Sequence, residues 1–383
     1  MIKRQLQAEL ELLRKQYSIL AIMGPRQSGK TILAKACFTD LPYISLEDPD
    51  ERALAAADPR GFLQRYKHGA ILDEAHNLPL LFSYLQTHVD ENPTTCRFVL
   101  TGSQNFLLHE KISQSLAGRI AIVTLMPLSL SEIKASHAIF TDLDTCLLKG
   151  AYPRLYHEGI DARKWQKNYI KTYLERDVRQ IKNITDLGKF QVFLTMCAHR
   201  IGQLLNLSAL AQDCGITHNT AKEWVSLLEA SYLVFLLRPH HRNFQKRLVK
   251  MPKLYFYDTG IVSALLNLDD SIATNPIRGH LFENFVISEM MKTSFNRGVD
   301  PQLYFWRDHA GHEVDVVQEQ GQDLIPYEIK SGQTLTPDSF KPLNNWMKLS
   351  GTPRGNLIYG GDKSFIHKEI AVYQWNKEWY ESL

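Results

Sequence analysis

Cysteine is scarce and poorly placed for cross-linking. The 383-residue chain has five, Cys37, Cys96, Cys146, Cys197 and Cys214, odd in number and widely scattered, which excludes a disulfide framework and leaves no zinc-ligand set. Long apolar runs are missing too: the longest, Leu233 to Leu237 with Tyr232 in front, is far too short to cross a bilayer. The N-terminal stretch MIKRQLQAELELLRKQY interleaves charge with Leu at helical spacing and lacks the unbroken apolar segment and cleavage site of a signal peptide. A soluble chain in a reducing cytoplasm, with no membrane partner, is the expectation. Charge of one sign is lacking as well, since 44 basic against 41 acidic residues leave only +3, so nucleic acid could be met only through local patches. Repeats, low-complexity tracts and long Pro/Gly/Ser linkers are absent, and the modules should therefore sit close together rather than hang on tethers.

What is present is an ordinary globular composition, 44% apolar and 22% charged, long enough for two or three domains at about 150 residues each. From Ser18 onward short apolar runs (SILAIM, YISL, AILDEA, RFVLTGS, IAIVTL) alternate with amphipathic stretches, the rhythm of a parallel sheet with crossover helices. After Pro127 the pattern turns helical and includes WQKNYIKTYLERDVRQI. Strand-like runs return at LYFYD (254–258), LYFWR (303–307), EVDVV (313–317) and LIPYEIK (324–330).

Gly24-Pro25-Arg26-Gln27-Ser28-Gly29-Lys30-Thr31 satisfies G-x-x-x-x-G-K-[ST] between a strand and a helix, the context in which backbone N–H groups close on phosphates. Gly24, Arg26, Gln27, Ser28, Gly29, Lys30 and Thr31 are the candidate nucleotide contacts, with Lys30 on the β- and γ-phosphates and Thr31 on Mg²⁺. A nucleotide hydrolase also needs a carboxylate for the metal and one to polarise water. The strand AILDE supplies Asp73 and Glu74. The strand RFVLTGSQ ends in small polar residues, and Ser103 is the candidate sensor, with Gln104 close behind. Arg119 precedes IAIVTL, where an AAA+ protein presents an arginine finger to its neighbour's γ-phosphate; the alternative is a surface cation.

These motifs, with YISLEDPDERALAAADPRGFL, DEA, LTGSQNF, SLAGR, PLSLSEI, GAYPR, YIKTYLERDVR and the paired EVD and EIKSG strings, resemble the AAA+-type predicted ATPases of bacteria and archaea. Those proteins carry a C-terminal domain long of unknown function, with a PD-(D/E)xK nuclease-like core. The resemblance spans nearly all of the chain. It implies an α/β protein built as an AAA+ core with P-loop (1–136), a helical lid (137–186), a winged-helix module (187–252) and an α/β restriction-endonuclease-like domain (253–383). It also makes Arg154 of GAYPR a second-sensor candidate, its alternative being a lid arginine in a surface salt bridge. His76 departs from the Gln common in the family.

In the middle module, LSALAQDCGIT reads as a short helix, a turn at Gly215 and a second helix capped by Thr217 or Asn219, running to about Ala230. YLVFLLRP and RLVKMPKLYFY then read as a two-stranded wing. His218, Asn219, Thr220 and Lys222 would face outward on a recognition helix, while Arg238, Arg242, Lys246, Arg247 and Lys250 make the wing basic. The alternative is protein docking. In the last module Glu283 lies on a helix, Asp315 on EVDVV, and Glu328 with Lys330 share one face of PYEIK. Asp315 and Glu328 could hold Mg²⁺ through oxygen. The set resembles the PD-(D/E)xK core, in which metal and lysine activate water against a phosphodiester, with Glu283 as the helix acid; such domains also persist as structural or DNA-binding units. ATP and Mg²⁺ are the expected cofactors, duplex or branched DNA the expected partner, and a homo-oligomer the expected state. The leading expectation is an ATP-hydrolysing protein that remodels or processes DNA. The alternatives are a nucleotide-controlled regulatory or defence switch, and a branch-migration or translocase ring whose nuclease-like domain is only structural.

Overall fold

The computed structural model describes residues 2–92, 97–103, 116–136, 142–173, 184, 186–242, 248–377 and 379. The chain divides into two compact units, one of residues 1–128, 230–232 and 294–299, the other of residues 129–229, 233–293 and 300–383.

The first unit is built on five strands: β1 (Ile19–Met23), β2 (Tyr43–Ser45), β3 (Ala70–Asp73), β4 (Phe98–Gly102) and β5 (Ile120–Thr124). They lie in the order β2-β3-β4-β1-β5, every pair parallel. β1, β3 and β4 are buried along their whole length, as expected of strands covered on both faces. Leu20 and Ile22 of β1 share one face and pack with Leu6 and Leu10 from the helix Gln7–Leu13 and its approach, and with Leu33 and Ala34 of the helix Lys30–Cys37. Met23 stands beside both Gly102 and Thr124, and Ser45 beside Asp73. Parallel register thus brings the C-terminal ends of all five strands to one edge, where ligands bind in open α/β sheets.

The second unit begins with the helices Leu130–Ala135, Leu143–Lys149, Arg154–His157 and Ala162–Tyr173; the LERDVRQI end of the expected long helix lies beyond Tyr173, outside the described residues. The helices Leu187–Ala198, Leu207–Asp213 and His218–Ala230 follow. Gly215 at φ 61° makes the turn between the last two, and the Thr217 hydroxyl accepts from Thr220 N–H at 3.1 Å to cap the second. An eight-stranded sheet completes the unit: β6 (Val234–Pro239), β7 (Lys253–Phe256), β8 (Leu303–Arg307), β9 (Glu313–Gln320), β10 (Asp323–Lys330), β11 (Gly355–Tyr359), β12 (Phe365–His367) and β13 (Ile370–Gln374). Its order is β12-β13-β11-β10-β9-β8-β6-β7.

β6 and β7 form an antiparallel pair. Beyond that pair, β6 runs alongside β8, with Arg238 opposite Tyr304, so the hairpin expected as a separate wing is also one end of the last module's sheet. β11 to β13 were not read from sequence. GNLIY and IAVYQ are short, and their strand character depends on pairing with β10 and with each other, which no local pattern reports. Gly355 sits so close under the helix Lys341–Ser350 that a Cβ would meet Met347 Sδ at 3.2 Å.

Charges inside this unit are paired. Glu289 and Lys292, both nearly inaccessible, stand 2.7 Å apart, and Glu289 Oε2 accepts from Leu130 N–H at 2.6 Å, joining the helix Arg278–Asn296 to the start of Leu130–Ala135. Asp258 accepts from Ala151 N–H at 2.6 Å and from Ile261 N–H at 3.1 Å. Burial nevertheless raises its carboxyl above the usual range, the field of Lys292 and those hydrogen bonds opposing. No helix among the described residues is long and apolar enough to cross a membrane.

Candidate functional site

Gly24 follows β1 at φ 144°, and a Cβ there would fall 2.1 Å from the Leu125 carbonyl oxygen, so only glycine fits. The loop ends on Gly29, left-handed at φ 98°, directly before the helix Lys30–Cys37, whose free N-terminal amides form an anion-binding end. Lys30 is 6% exposed. Its Nζ lies inside the loop, donating to Gly24 O at 3.0 Å and Pro25 O at 2.8 Å.

Across the loop, the Thr31 hydroxyl donates to Asp73 Oδ1 at 2.8 Å. Tyr43 donates to Asp73 Oδ2 at 2.8 Å, and Thr101 also donates to Oδ1. Burial and this bond to a carboxylate push the Tyr43 phenol up to about 12. Glu74 adopts the left-handed conformation (φ 52°), uncommon for a residue with a side chain and frequent at functional positions. Its N–H donates to Thr101 Oγ1 at 3.2 Å. Its Oε2 faces the Ser103 hydroxyl at 3.4 Å and His76 Nδ1 at 3.2 Å. Burial lowers the His76 pKa, with the field of Glu74 opposing.

These groups fit a magnesium nucleotide. Hydroxyl and carboxylate oxygens suit a hard divalent cation, the ammonium suits phosphate, and the Ser28 hydroxyl at the loop's base is fully buried with no hydrogen-bond partner. Thr31 and Asp73 would hold the metal, whose charge would offset that of the phosphates.

The order of the strands brings Lys30, Thr31, Asp73, Glu74 and Ser103 together. Arg119 stands at the other end of β5, beside β1's first residue, Ile19, and its guanidinium pairs with Asp90 at 2.5 and 2.9 Å. Arg154, in the second unit, is exposed and pairs with Glu158 at 2.9 Å. Gln104 lies outside the described residues. Tyr43 and Thr101 escaped sequence reading. Thr101 is one of several polar residues ending RFVLTGSQ, and only the β3–β4 register aims it at Asp73.

The second unit holds a cleft of about 540 Å³ lined by Asp315, Glu328 and Lys330 together with Asp308, His312 and Trp346, among others. Asp315 and Glu328 follow directly on the ladder pair Val316–Tyr327, which makes them neighbours across two strands. Ile329 N–H donates to Asp315 Oδ2 at 2.8 Å, and Lys330 Nζ donates to Glu328 Oε1 at 2.5 Å. Glu328 is 3% exposed, and its Oε2 is buried with no hydrogen-bond partner. Burial, reinforced by the charge of Glu283, lifts Asp315 to about 6. Burial and the charge of Asp315 likewise raise Glu328. Burial alone would lower the Lys330 ammonium, but Asp315 and Glu328 raise it. Two carboxylates held unfavourably close, one with an unused oxygen, fit a divalent cation through Asp315 and Glu328.

Glu283 adds its charge to the field on Asp315, Glu328 and Lys330 while its hydrogen bonds go to other residues. Its Oε1 takes hydrogen bonds from Lys253 Nζ at 3.0 Å and Tyr255 OH at 2.5 Å, and Lys253 also reaches Glu313 at 2.5 Å. Burial alone would lower the Lys253 ammonium, but Glu283, Asp315 and Glu313 raise it. Lys253 had no role in the sequence reading, because its strand pattern carries no mark of three acids drawn from other elements.

Of the candidate DNA contacts, His218, Asn219 and Lys222 are exposed on the first turns of the helix His218–Ala230, and Arg238, Arg242 and Lys250 are exposed around the hairpin. Thr220 is half-buried. Lys246 and Arg247 lie outside the described residues. His240, His241 and Glu319 also bring possible metal ligands within 4.8 Å of one another. His240 Nδ1, however, accepts from Arg242 N–H at 3.2 Å, which puts the proton on Nε2, 2.8 Å from Glu319. A hydrogen bond already satisfies that nitrogen, leaving it no lone pair for a metal.

Residues 16–134 match an AAA domain. Residues 140–272 match a domain of unknown function (DUF8612) and residues 278–377 another (DUF4143). The uncharacterized protein Rv2008c of Mycobacterium tuberculosis is 30% identical over 376 residues, covering 97% of this chain and 82% of that protein. The uncharacterized protein Mb2031c of Mycobacterium bovis matches with the same figures, 30% over 376 residues, 97% and 82%. The Walker-type ATPase PABY2304 of Pyrococcus abyssi has a similar fold, with a TM-score of 0.51 at 15% identity over 70% of this chain and 96% of that one.

Proposed function

The chain belongs to the family of these mycobacterial relatives and carries an AAA domain with the nucleotide core of a P-loop ATPase, and on that premise we propose that it hydrolyses ATP to remodel or process DNA. Lys30 supplies the point charge for the β- and γ-phosphates, Glu74 orients and polarises the attacking water, and the Ser103 hydroxyl holds the Glu74 carboxylate in place with His76 beside it. His76 Nδ1 stands 3.2 Å from this carboxylate without a hydrogen bond, and burial favours its neutral form. Arg119 acts on a neighbouring subunit, which agrees with its place at the end of the sheet away from its own loop.

The observation that carries the DNA reading is the cleft shared by Asp315, Glu328 and Lys330, with the buried, unpartnered Glu328 oxygen inside it. Asp315 and Glu328 hold a divalent cation there, and Lys330 orients the water against a phosphodiester. The three helices from Leu187 to Ala230, the β6–β7 pair, and the bridges from Ile201 to Leu254 and from Leu204 to Lys253 support a winged-helix grip beside it. Exposed basic residues fall where such a grip meets phosphate.

The test measures ATP turnover with and without single-stranded, duplex and branched DNA, and cleavage of the same DNAs with Mg²⁺ or Mn²⁺. DNA-stimulated turnover is expected, with metal-dependent cleavage that Asp315→Ala removes. Slow turnover that ignores DNA, with retained nucleotide, would replace this function by the nucleotide switch. DNA-stimulated turnover with no cleavage under either metal would reduce the cleft to a structural or clamping role.

A further inference from the structure

Arg4 belongs to none of the nucleotide motifs, yet its guanidinium lies against the loop that binds phosphate. The residue is 6% exposed. One nitrogen donates to Ser28 O at 2.7 Å and another to Met126 O at 2.6 Å. The segment that delivers it is firmly anchored: Leu6 and Leu10 are fully buried against Leu20, Ile22 and Leu33, and Gln5 Oε1 accepts from Asn296 Nδ2 at 3.1 Å.

A planar trans peptide points its C=O and N–H in opposite directions. Fixing the Ser28 carbonyl therefore fixes the direction of the Gly29 N–H. That restraint matters at this peptide because Gly29 is left-handed and lacks a side chain to limit its rotation. The guanidinium lies 3.6 Å from where a Gly29 Cβ would be, close enough to back the loop without entering the helix end. Its second bond ties the same group to Met126, the residue after Leu125, whose carbonyl closes on Gly24. Residues 125 and 126 thereby hold the loop at both ends, directly at Gly24 and through Arg4 at Ser28.

We propose that Arg4 is a positioning residue of the nucleotide site: it clamps the Ser28–Gly29 peptide so that the Gly29 N–H faces the bound phosphates. This rests on reading residues 24–31 as the phosphate loop.

The test uses the full chain and its Arg4→Ala and Arg4→Lys variants, with affinities for ATP, ADP and AMP measured by equilibrium binding and the melting temperature recorded alongside. Hydrogen bonds to charged groups are worth roughly tenfold or more in an equilibrium. Arg4→Ala should therefore bind ATP and ADP about tenfold or more weakly, with a smaller loss for AMP. Arg4→Lys, which can reach one carbonyl, should fall between. Guanidinium at sub-denaturing concentration should restore much of the Arg4→Ala affinity, and methylammonium should not. Unchanged affinity in folded Arg4→Ala, or a loss that guanidinium leaves untouched while the melting temperature falls, would overturn the clamp and leave the phosphate loop standing. Parent protein that binds neither ATP nor ADP would overturn both.

Discussion

Glu74 combines a left-handed backbone, a carboxylate bonded by Ser103 and flanked by His76, and a position one residue beyond Asp73, the proposed metal ligand. Replacing it by Gln keeps the shape and removes the charge proposed to polarise water. Glu74→Gln should therefore retain ATP while hydrolysis falls by about 100-fold or more, whereas Lys30→Ala should lose both; turnover and retained nucleotide, measured on the same samples, separate the two. Asp315 makes a pH prediction of unusual sign. Its folded-state pKa, about 6, stands above the ordinary 3.8, so between those values the folded chain binds more protons than the unfolded chain. The group therefore stabilises the metal-free fold as pH falls through about 6 and penalises it at neutral pH. Asp315→Asn should raise the metal-free melting temperature at pH 7.5 by on the order of 3 °C and flatten its rise toward pH 5. Added Mg²⁺ should stabilise the parent more than the variant, and thermal melts across this pH range test both.

At the scale of elements, each site is made by register. Asp315 and Glu328 meet because β9 and β10 are antiparallel with Val316 opposite Tyr327; a shift of one residue would send one of them to the other face of the sheet. β4 lies between β1 and β3, which puts Thr101 against Asp73 and Ser103 against Glu74. The exposed cations near the hairpin make a separate case. If Arg238 and Arg242 neutralise DNA phosphates, reversing both to Glu should weaken DNA binding about evenly across sequences. The salt dependence should also become shallower, by about one unit of slope for each phosphate left without its arginine. Binding titrations at several salt concentrations read both effects, and an unchanged slope would move this surface to protein docking.

For the whole molecule, Arg119 in its proposed finger role would link catalysis to assembly. Paired to Asp90 at the end of β5 away from its own loop, it can serve an active site only by meeting another subunit's nucleotide. Arg119→Ala protein and Glu74→Gln protein, each inactive alone, should recover part of the parent ATPase rate when mixed, because some mixed interfaces combine an intact Glu74 with an intact Arg119. A mixture that stays inactive while sedimenting as a monomer would remove the finger. The amino-acid sequence alone determined the phosphate loop, since glycines at 24 and 29, Lys30 and Thr31 are contiguous and their chemistry is local. It also determined all five strands of the first sheet and the strands β6 to β10, each written in a single local run. Tertiary structure alone decided that Tyr43 and Thr101 hold Asp73, that Lys253 engages Glu283, that β6 joins the last sheet, and that Arg4 reaches Met126 across 122 positions of chain. Neighbours in sequence set backbone propensity and periodicity, whereas strand order and register set which distant side chains share a site, and those follow from packing the whole chain at once.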